Sequence, residues 1–266
     1  MRPMMAALVI GVSLGLAVAM TIAWLVQRRS NNAGWVDAVW SFALGLAGVV
    51  YALFPLRGDL PATRQWLVAA LAAVWSVRLG WHIASRTAHG TEDARYAQFR
   101  REWGAAFQRR MLWFLQIQAD AAALLAVSIL LAARNPRPLS LLDCAALAVL
   151  LVSIAGEALA DRQLRRFRAG PGNHGRVCDV GLWGWSRHPN YFFEWLVWVA
   201  YALLAIDPCG GYPRGWLALS APAFMYWLLV YVSGVPPLEQ WMVRSRGERY
   251  REYQYREKMT SMTTAA

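Results

Sequence analysis

The residues with the most chemistry in this chain lie close together between positions 161 and 194. The stretch opens with Asp161-Arg162-Gln163-Leu164-Arg165-Arg166-Phe167-Arg168 and passes a Gly/Pro turn. It closes with Gly181-Leu182-Trp183-Gly184-Trp185-Ser186-Arg187-His188-Pro189-Asn190-Tyr191-Phe192-Phe193-Glu194. Within 161–190 six arginines face two acids, Asp161 and Asp179. A guanidinium fork grips phosphate oxygens two at a time, so this excess suits a polyanionic ligand. By charge alone an equal reading is a cytoplasmic lip against anionic lipid headgroups. Pro189 breaks the loop just before a helix, which sets Asn190 and Glu194 one turn apart on one face, beside Tyr191. A glutamate entering an apolar run is costly and marks a functional site, unless it only answers Arg187 or Arg168. His188 alone reads as a satisfied polar residue; among Arg, Asn, Tyr and Glu it reads as part of a site.

The elements that must hold these residues are membrane helices. The chain has 266 residues, 58% of them hydrophobic, with a mean hydropathy of +0.29. Apolar runs long enough to cross about 30 Å of hydrocarbon recur along it. Seven are expected, over about 4–26, 35–56, 65–85, 111–132, 139–160, 191–206 and 216–235, the sixth being short. They are continuous rather than alternating and rich in Ala and Leu, which argues against strands. The expected fold is all-α, a polytopic seven-helix bundle forming one membrane domain over 1–266. The first run has only Arg2 before it, and Arg28 and Arg29 directly after it, so it reads as a retained helix rather than a signal peptide. Seven crossings place 20 of the 27 lysines and arginines on one side, around 27–34, 86–110, 161–190 and the tail. The positive-inside rule then sets the amino terminus outside and the carboxyl terminus in the cytoplasm. Outer loops such as 57–64, 133–138 and 207–215 are short, and the tail 260–266 reads as frayed. The net charge of +11 is the inner-leaflet bias, not a nucleic-acid surface. Cys144, Cys178 and Cys209 form no CxxC pair and suggest neither a disulfide frame nor a metal site.

At Gly181-Leu182-Trp183, Ser186-Arg187-His188-Pro189-Asn190-Tyr191 and Glu194 the sequence resembles the signature of the steroid 5-alpha-reductase C-terminal-domain family of membrane reductases, in its bacterial branch. Ala160–Phe167, Val36-Asp37-Ala38-Val39-Trp40-Ser41 and Glu92-Asp93-Ala94-Arg95-Tyr96 follow the same pattern, so the resemblance covers about 30–255. The signature is shared with sterol reductases and, more loosely, with isoprenylcysteine carboxyl methyltransferases. The resemblance implies a bundle holding NADPH in a cytoplasm-facing cavity. It carries cofactor contacts to Arg78, Asp161, Arg168, Asn190 and Glu194, with Arg165, Arg187, His188 and Tyr191 beside them. It also assigns Tyr250 and Tyr253 of the closing Glu-x-Tyr-x-x-Tyr pattern, together with Glu239, to the cofactor end. Where steroid reductases set a tyrosine four residues before the arginine of the third helix, this chain has Trp75, and Asp37 is the nearest match to their early glutamate.

Polar groups also stand inside the other apolar runs. Asp37 and Arg78 are expected to pair, with Asp37 as a protonated acid that polarises a substrate carbonyl. Asp143 and Glu157 read as structural. Trp35, Trp113, Trp183, Trp185 and Trp216 fall at helix ends, as an interfacial belt would; Trp40 and Trp75 lie deeper, where they line an apolar substrate pocket or pack the core. The expected function is an NADPH-dependent oxidoreductase reducing an activated C=C bond in an apolar sterol- or isoprenoid-like enone. Its rivals are an S-adenosylmethionine-dependent methyltransferase of a lipid or prenylated thiol, and a lipid-binding membrane protein without catalysis.

Overall fold

A computed structural model describes residues 2–56, 62–90 and 92–263. Most of the expected outer loop 57–64, and residues 264–266 of the tail, lie outside the described residues. The helices are α1 (Arg2–Ser30), α2 (Gly34–Leu53), α3 (Thr63–His89), α4 (Ala94–Trp103), α5 (Phe107–Ala133), α6 (Leu141–Ala169), α7 (Pro189–Ala205), α8 (Ser220–Trp227), α9 (Val235–Arg246) and α10 (Glu248–Thr263). A π turn, Leu228–Val232, follows α8. No strand occurs among the described residues, as expected of apolar segments that satisfy their backbone groups internally.

Six segments are long and apolar enough to cross a membrane: Pro3–Ser30, Gly34–Leu53, Thr63–His89, Arg95–Ala133, Leu141–Ala169 and Pro213–Arg246. The run expected over 191–206 forms α7, which at 17 residues is shorter than these. The charged stretches expected as loops are largely helical. The 86–110 segment contains α4, α6 runs on to Ala169, and the tail forms α9 and α10, helical as far as Thr263.

The chain divides into two compact units. The first comprises Met1–Cys144 with Tyr201–Ala221. Its centre is α2, which packs against α1, α3 and α5. Glycine lets α2 and α3 come close: a Cβ on Gly45 would fall 2.0 Å from Ser76 Cβ, and one on Gly80 would fall 2.7 Å from the Phe42 ring. At this approach the Ser76 hydroxyl donates to the Ser41 carbonyl at 2.9 Å. Arg134 Nη2 donates to the Tyr51 and Phe54 carbonyls at 2.9 and 2.7 Å, satisfying the end of α2.

At one end of this unit a buried ion network ties four segments together. Arg64 Nη1 donates to Asp143 Oδ1 at 2.6 Å and to the Leu204 carbonyl at 3.1 Å. Arg137 reaches Asp143 Oδ2 at 3.1 Å, and the backbone N–H of Ser140 donates to the same oxygen at 2.8 Å. Asp143 therefore both caps α6 and holds a buried pair, in line with its structural reading.

The second unit comprises Ala145–Ala200 with Pro222–Ala266. Here Ala160, Leu164 and Phe167 of α6 pack against Cys178, Leu182 and Trp183. Positions 160, 164 and 167 recur at helical spacing, so one face of α6 is apolar and receives the loop that follows it. The Trp183 indole donates to the Ala160 carbonyl at 2.9 Å. Trp183 is thus a buried anchor rather than part of an interfacial belt, whereas Trp185 is 81% exposed. Gly247, with φ of 58°, makes the sharp joint between α9 and α10.

Asp143→Ala leaves the Arg64 guanidinium buried without a counter-charge, which costs about 3–5 kcal/mol. Thermal unfolding in detergent should show a large loss for this variant and a much smaller one for the paired Arg64→Met, Asp143→Leu variant. Equal losses would mean that the pair is not the source.

Candidate functional site

In the second unit, the segment richest in chemistry is fixed by one carboxylate. Pro189 opens α7, and just before it the backbone N–H of His188 donates to Ser186 Oγ at 3.2 Å, closing a turn. Arg187 Nη1 and His188 Nε2 both reach Glu239 Oε1, at 2.9 and 3.0 Å. Gln254 Nε2 donates to Glu239 Oε2 at 2.8 Å, and the Tyr250 hydroxyl lies 3.5 Å from Oε1. Glu239 on α9 therefore joins the 186–188 loop to α10. Because the carboxylate accepts, neutral His188 carries its proton on Nε2. Nδ1 is then an acceptor; it is buried and has no hydrogen-bonding partner among the described residues. The imidazole stacks on Tyr191, with centroids 5.6 Å apart and planes 12° from parallel.

The loop is fastened at further points. The Tyr253 hydroxyl donates to the Trp183 carbonyl and, at 3.4 Å, approaches the Ser186 carbonyl. Arg256 pairs with Asp179 at 2.6 Å, and the Leu182 N–H donates to Gln163 Oε1 at 3.0 Å. Tyr250, Tyr253 and Gln254 lie at i, i+3 and i+4, so a single face of α10 does this work. An open cleft of about 350 Å³ is lined by Glu239, Gln240, Val243, Arg244 and Gln254.

The remaining expected residues fall in three places. On α7, Asn190 is half-buried, and buried Glu194 accepts from the Trp198 indole at 3.1 Å. On α6, Asp161 and Arg168 share a flank, seven residues apart. Arg165 is exposed, on the side of α6 opposite Leu164 and Phe167, so it points away from the loop. Tyr250, Tyr253, Arg187, His188 and Glu239 come together as one group.

The first unit holds Asp37, Trp40, Trp75 and Arg78, and here the expected pairing gives way. Asp37 Oδ2 accepts from Arg95 Nη2 at 2.7 Å, and Oδ1 accepts from the Tyr96 hydroxyl at 2.6 Å. Its partners are on α4, not Arg78 on α3. Both carboxylate oxygens accept hydrogen bonds from α4, so Asp37 anchors that helix. The reason is topological: α4 was read as loop, so a counter-charge from it was not counted. Trp75 is fully buried, and the Trp40 indole donates to the Gln118 carbonyl at 3.1 Å.

Sequence reasoning passed over Arg95, Tyr96 and Gln254 as site residues. For Gln254 a signal existed in its helical spacing from Tyr250. For Arg95 and Tyr96 it lay in Asp93, a helix-capping residue type two positions before Arg95. Asp93 Oδ1 accepts from the Arg95 N–H at 3.0 Å and from Arg95 Nε at 3.1 Å.

Burial pushes the Asp93 carboxyl up, but the charges and hydrogen bonds of Arg95, with Arg86, bring it down from its ordinary 3.8 to about 2. A depressed carboxyl contributes stability that is complete above its unfolded value and is lost as pH falls towards its folded one. Here that is about 2 kcal/mol, lost between roughly pH 4 and pH 2. Asp93→Asn keeps the cap but should flatten this acid limb in thermal unfolding. Faster hydrogen exchange over α10 in Glu239→Ala, with α3 unaffected, would confirm Glu239 as the link between α10 and the loop. Unchanged exchange would refute it.

Comparison with known proteins extends the picture. An uncharacterized protein of Schizosaccharomyces pombe is 24% identical over 206 residues, 68% of this chain and 60% of that protein. The chain thus spans about 60% of the length of the relative it matches. No solved structure matches it. A family model described as "Protein of unknown function (DUF1295)" matches residues 23–257, which is most of the chain, and the protein belongs to that family.

Proposed function

We propose that this protein is an NADPH-dependent membrane reductase of an activated C=C bond in an apolar, sterol- or isoprenoid-like enone. The DUF1295 family is read here as a branch related to the steroid 5-alpha-reductases, on the motif from Gly181 to Glu194. In this reading α7 is the sixth and shortest of seven crossings, at about 26 Å, with the amino terminus outside and α10 in the cytoplasm. The observation that carries the proposal is the state of His188. Glu239 engages one ring nitrogen, and the other is buried with no hydrogen-bonding partner among the described residues. Such an atom costs about 1–3 kcal/mol unless a ligand donor meets it, and an amide or ribose hydroxyl of a nucleotide is such a donor. The residues fit the group in other respects. Arg168 offers charge to phosphate oxygens, Asn190 offers an amide, and Glu194 offers a buried carboxylate, with Asp161 on the same flank of α6 as Arg168.

NADPH, when bound, supplies a hydride to the electron-poor carbon of a conjugated C=C bond. The chain's own part is to bind, orient and exclude water. Arg187 keeps the Glu239 carboxylate charged, Glu239 orients His188, and Tyr191 stacks on the imidazole and fixes its plane. Tyr250 and Tyr253 hold α10 against the loop. This reading no longer relies on Asp37 to polarise the substrate carbonyl, because its two oxygens accept from Arg95 and Tyr96.

One observation favours the methyltransferase reading. Arg162, Arg165 and Arg166, half of the six arginines that argued for phosphates, are exposed on the side of α6 away from the loop. The charge argument for NADPH over S-adenosylmethionine therefore rests on fewer residues.

The test is thermal stability of the detergent-purified protein with NADPH, NADH and S-adenosylmethionine in turn. A ligand at 100 times its Kd stabilises by about 2.7 kcal/mol. A shift with NADPH, abolished by His188→Leu and by Glu194→Gln, supports the reductase. A shift with S-adenosylmethionine alone replaces it with the methyltransferase, and no shift with any of the three leaves a lipid-binding protein.

A further inference from the structure

The cytoplasmic third of α6 has two faces with different tasks. Ala160, Leu164 and Phe167 receive Cys178, Leu182 and Trp183, and Gln163 holds the Leu182 N–H. At 100° per residue, Arg162, Arg165 and Arg166 centre on the opposite side. All three are exposed and form no ion pair among the described residues. The acids of the neighbouring segments are otherwise placed: Asp179 pairs with Arg256, Glu248 with Arg251, and Glu239 with Arg187 and His188.

The length of α6 sets the depth of these arginines. Its 29 residues make a rod of about 43 Å, against about 30 Å of hydrocarbon. The apolar stretch Leu141–Ala160 accounts for the hydrocarbon. Arg162, Arg165 and Arg166 then lie roughly 3, 7 and 9 Å beyond it, at the depth of the phosphates in a headgroup layer several ångströms thick. One cation would be enough to complement the helix C-terminus. Three guanidinium forks on one turn, facing outward at phosphate depth and in no ion pair among the described residues even with Asp161 beside them, match a bound phosphodiester better than a solvated face.

We propose that Arg162, Arg165 and Arg166 form a binding site for the headgroup of an anionic glycerophospholipid in the leaflet that surrounds the end of α6. The lipid's phosphodiester lies across the arginine turn, and its acyl chains lie along the exposed apolar side of the same helix, where Leu151, Val152 and Leu159 are each about half exposed. This gives Arg165 a lipid partner instead of the cofactor role first expected for it.

The experiment uses the full chain in nanodiscs of phosphatidylcholine alone and of an equal mixture with phosphatidylglycerol. Wild type and the triple variant R162Q/R165Q/R166Q are compared by thermal unfolding and by the phosphatidylglycerol retained on extraction. A control loses the same charge elsewhere, at the exposed Arg101, Arg109 and Arg110. Phosphatidylglycerol should stabilise wild type and control, and the triple variant should lose that shift and retain roughly tenfold less of the lipid. Equal retention by wild type and triple variant would overturn the site. Equal loss in the control would reduce it to net charge. Stabilisation of the phosphatidylcholine sample by inorganic phosphate to the same extent would make it a soluble-anion site. The readout involves no nucleotide, so this proposal and the reductase reading stand or fall separately.

Discussion

Acid is scarce in this protein, and the structure is organised by how it is shared. Sixteen carboxylates must serve 27 lysines and arginines, in a chain where an unanswered buried charge is prohibitively costly. Three acids therefore work as nodes. Asp143 answers Arg64 and Arg137, Asp93 answers Arg86 and Arg95, and Glu239 answers Arg187 and His188. Asp143 and Glu239 also lie where segments distant in sequence meet, whereas Asp93 answers arginines close to it along the chain. The same economy leaves Arg162, Arg165 and Arg166 with no ion pair among the described residues, and those stand on an outward face.

The broad architecture was legible because the bilayer imposes it. Long Ala- and Leu-rich runs can only be helices, and their positions follow from length. What the runs do not encode is the fate of charged stretches. Between 86 and 110 the composition is polar enough to pass for a loop, yet Asp93 caps a helix whose aromatic side turns inward: Phe99 stacks on Trp103 at 4.7 Å and meets Phe114 edge-on at 5.4 Å. That helix carries Arg95 and Tyr96 to Asp37. The pairing of Asp37 with Arg78 was inferred from neighbouring helices at similar depth, and depth alone cannot see a competing cation from an unrecognised element.

At the candidate site the pattern is similar. The family resemblance already grouped Arg187, His188, Tyr191, Glu239, Tyr250 and Tyr253, but not the fact that Glu239 is the residue that joins the others. Glu239 stands in a segment with no local mark of importance, and its role comes from long-range closure of α9 and α10 onto the loop. Arg165 shows the converse. Its neighbours in sequence belong to the site, but the helical period turns it away from them.

The overhang of α6 has one more consequence, and it concerns phase. The loop bearing His188 is fastened to α6 between Ala160 and Phe167, above the point where the helix leaves the hydrocarbon. The loop is thus held at the boundary between oil and water, without being immersed in either. A water-soluble reactant can reach that level without giving up much hydration, and a lipid can reach it without leaving its leaflet. In solution chemistry two such reactants need a carrier to bring one into the phase of the other; on the proposed reductase reading, a rigid helix of this length would do away with the carrier.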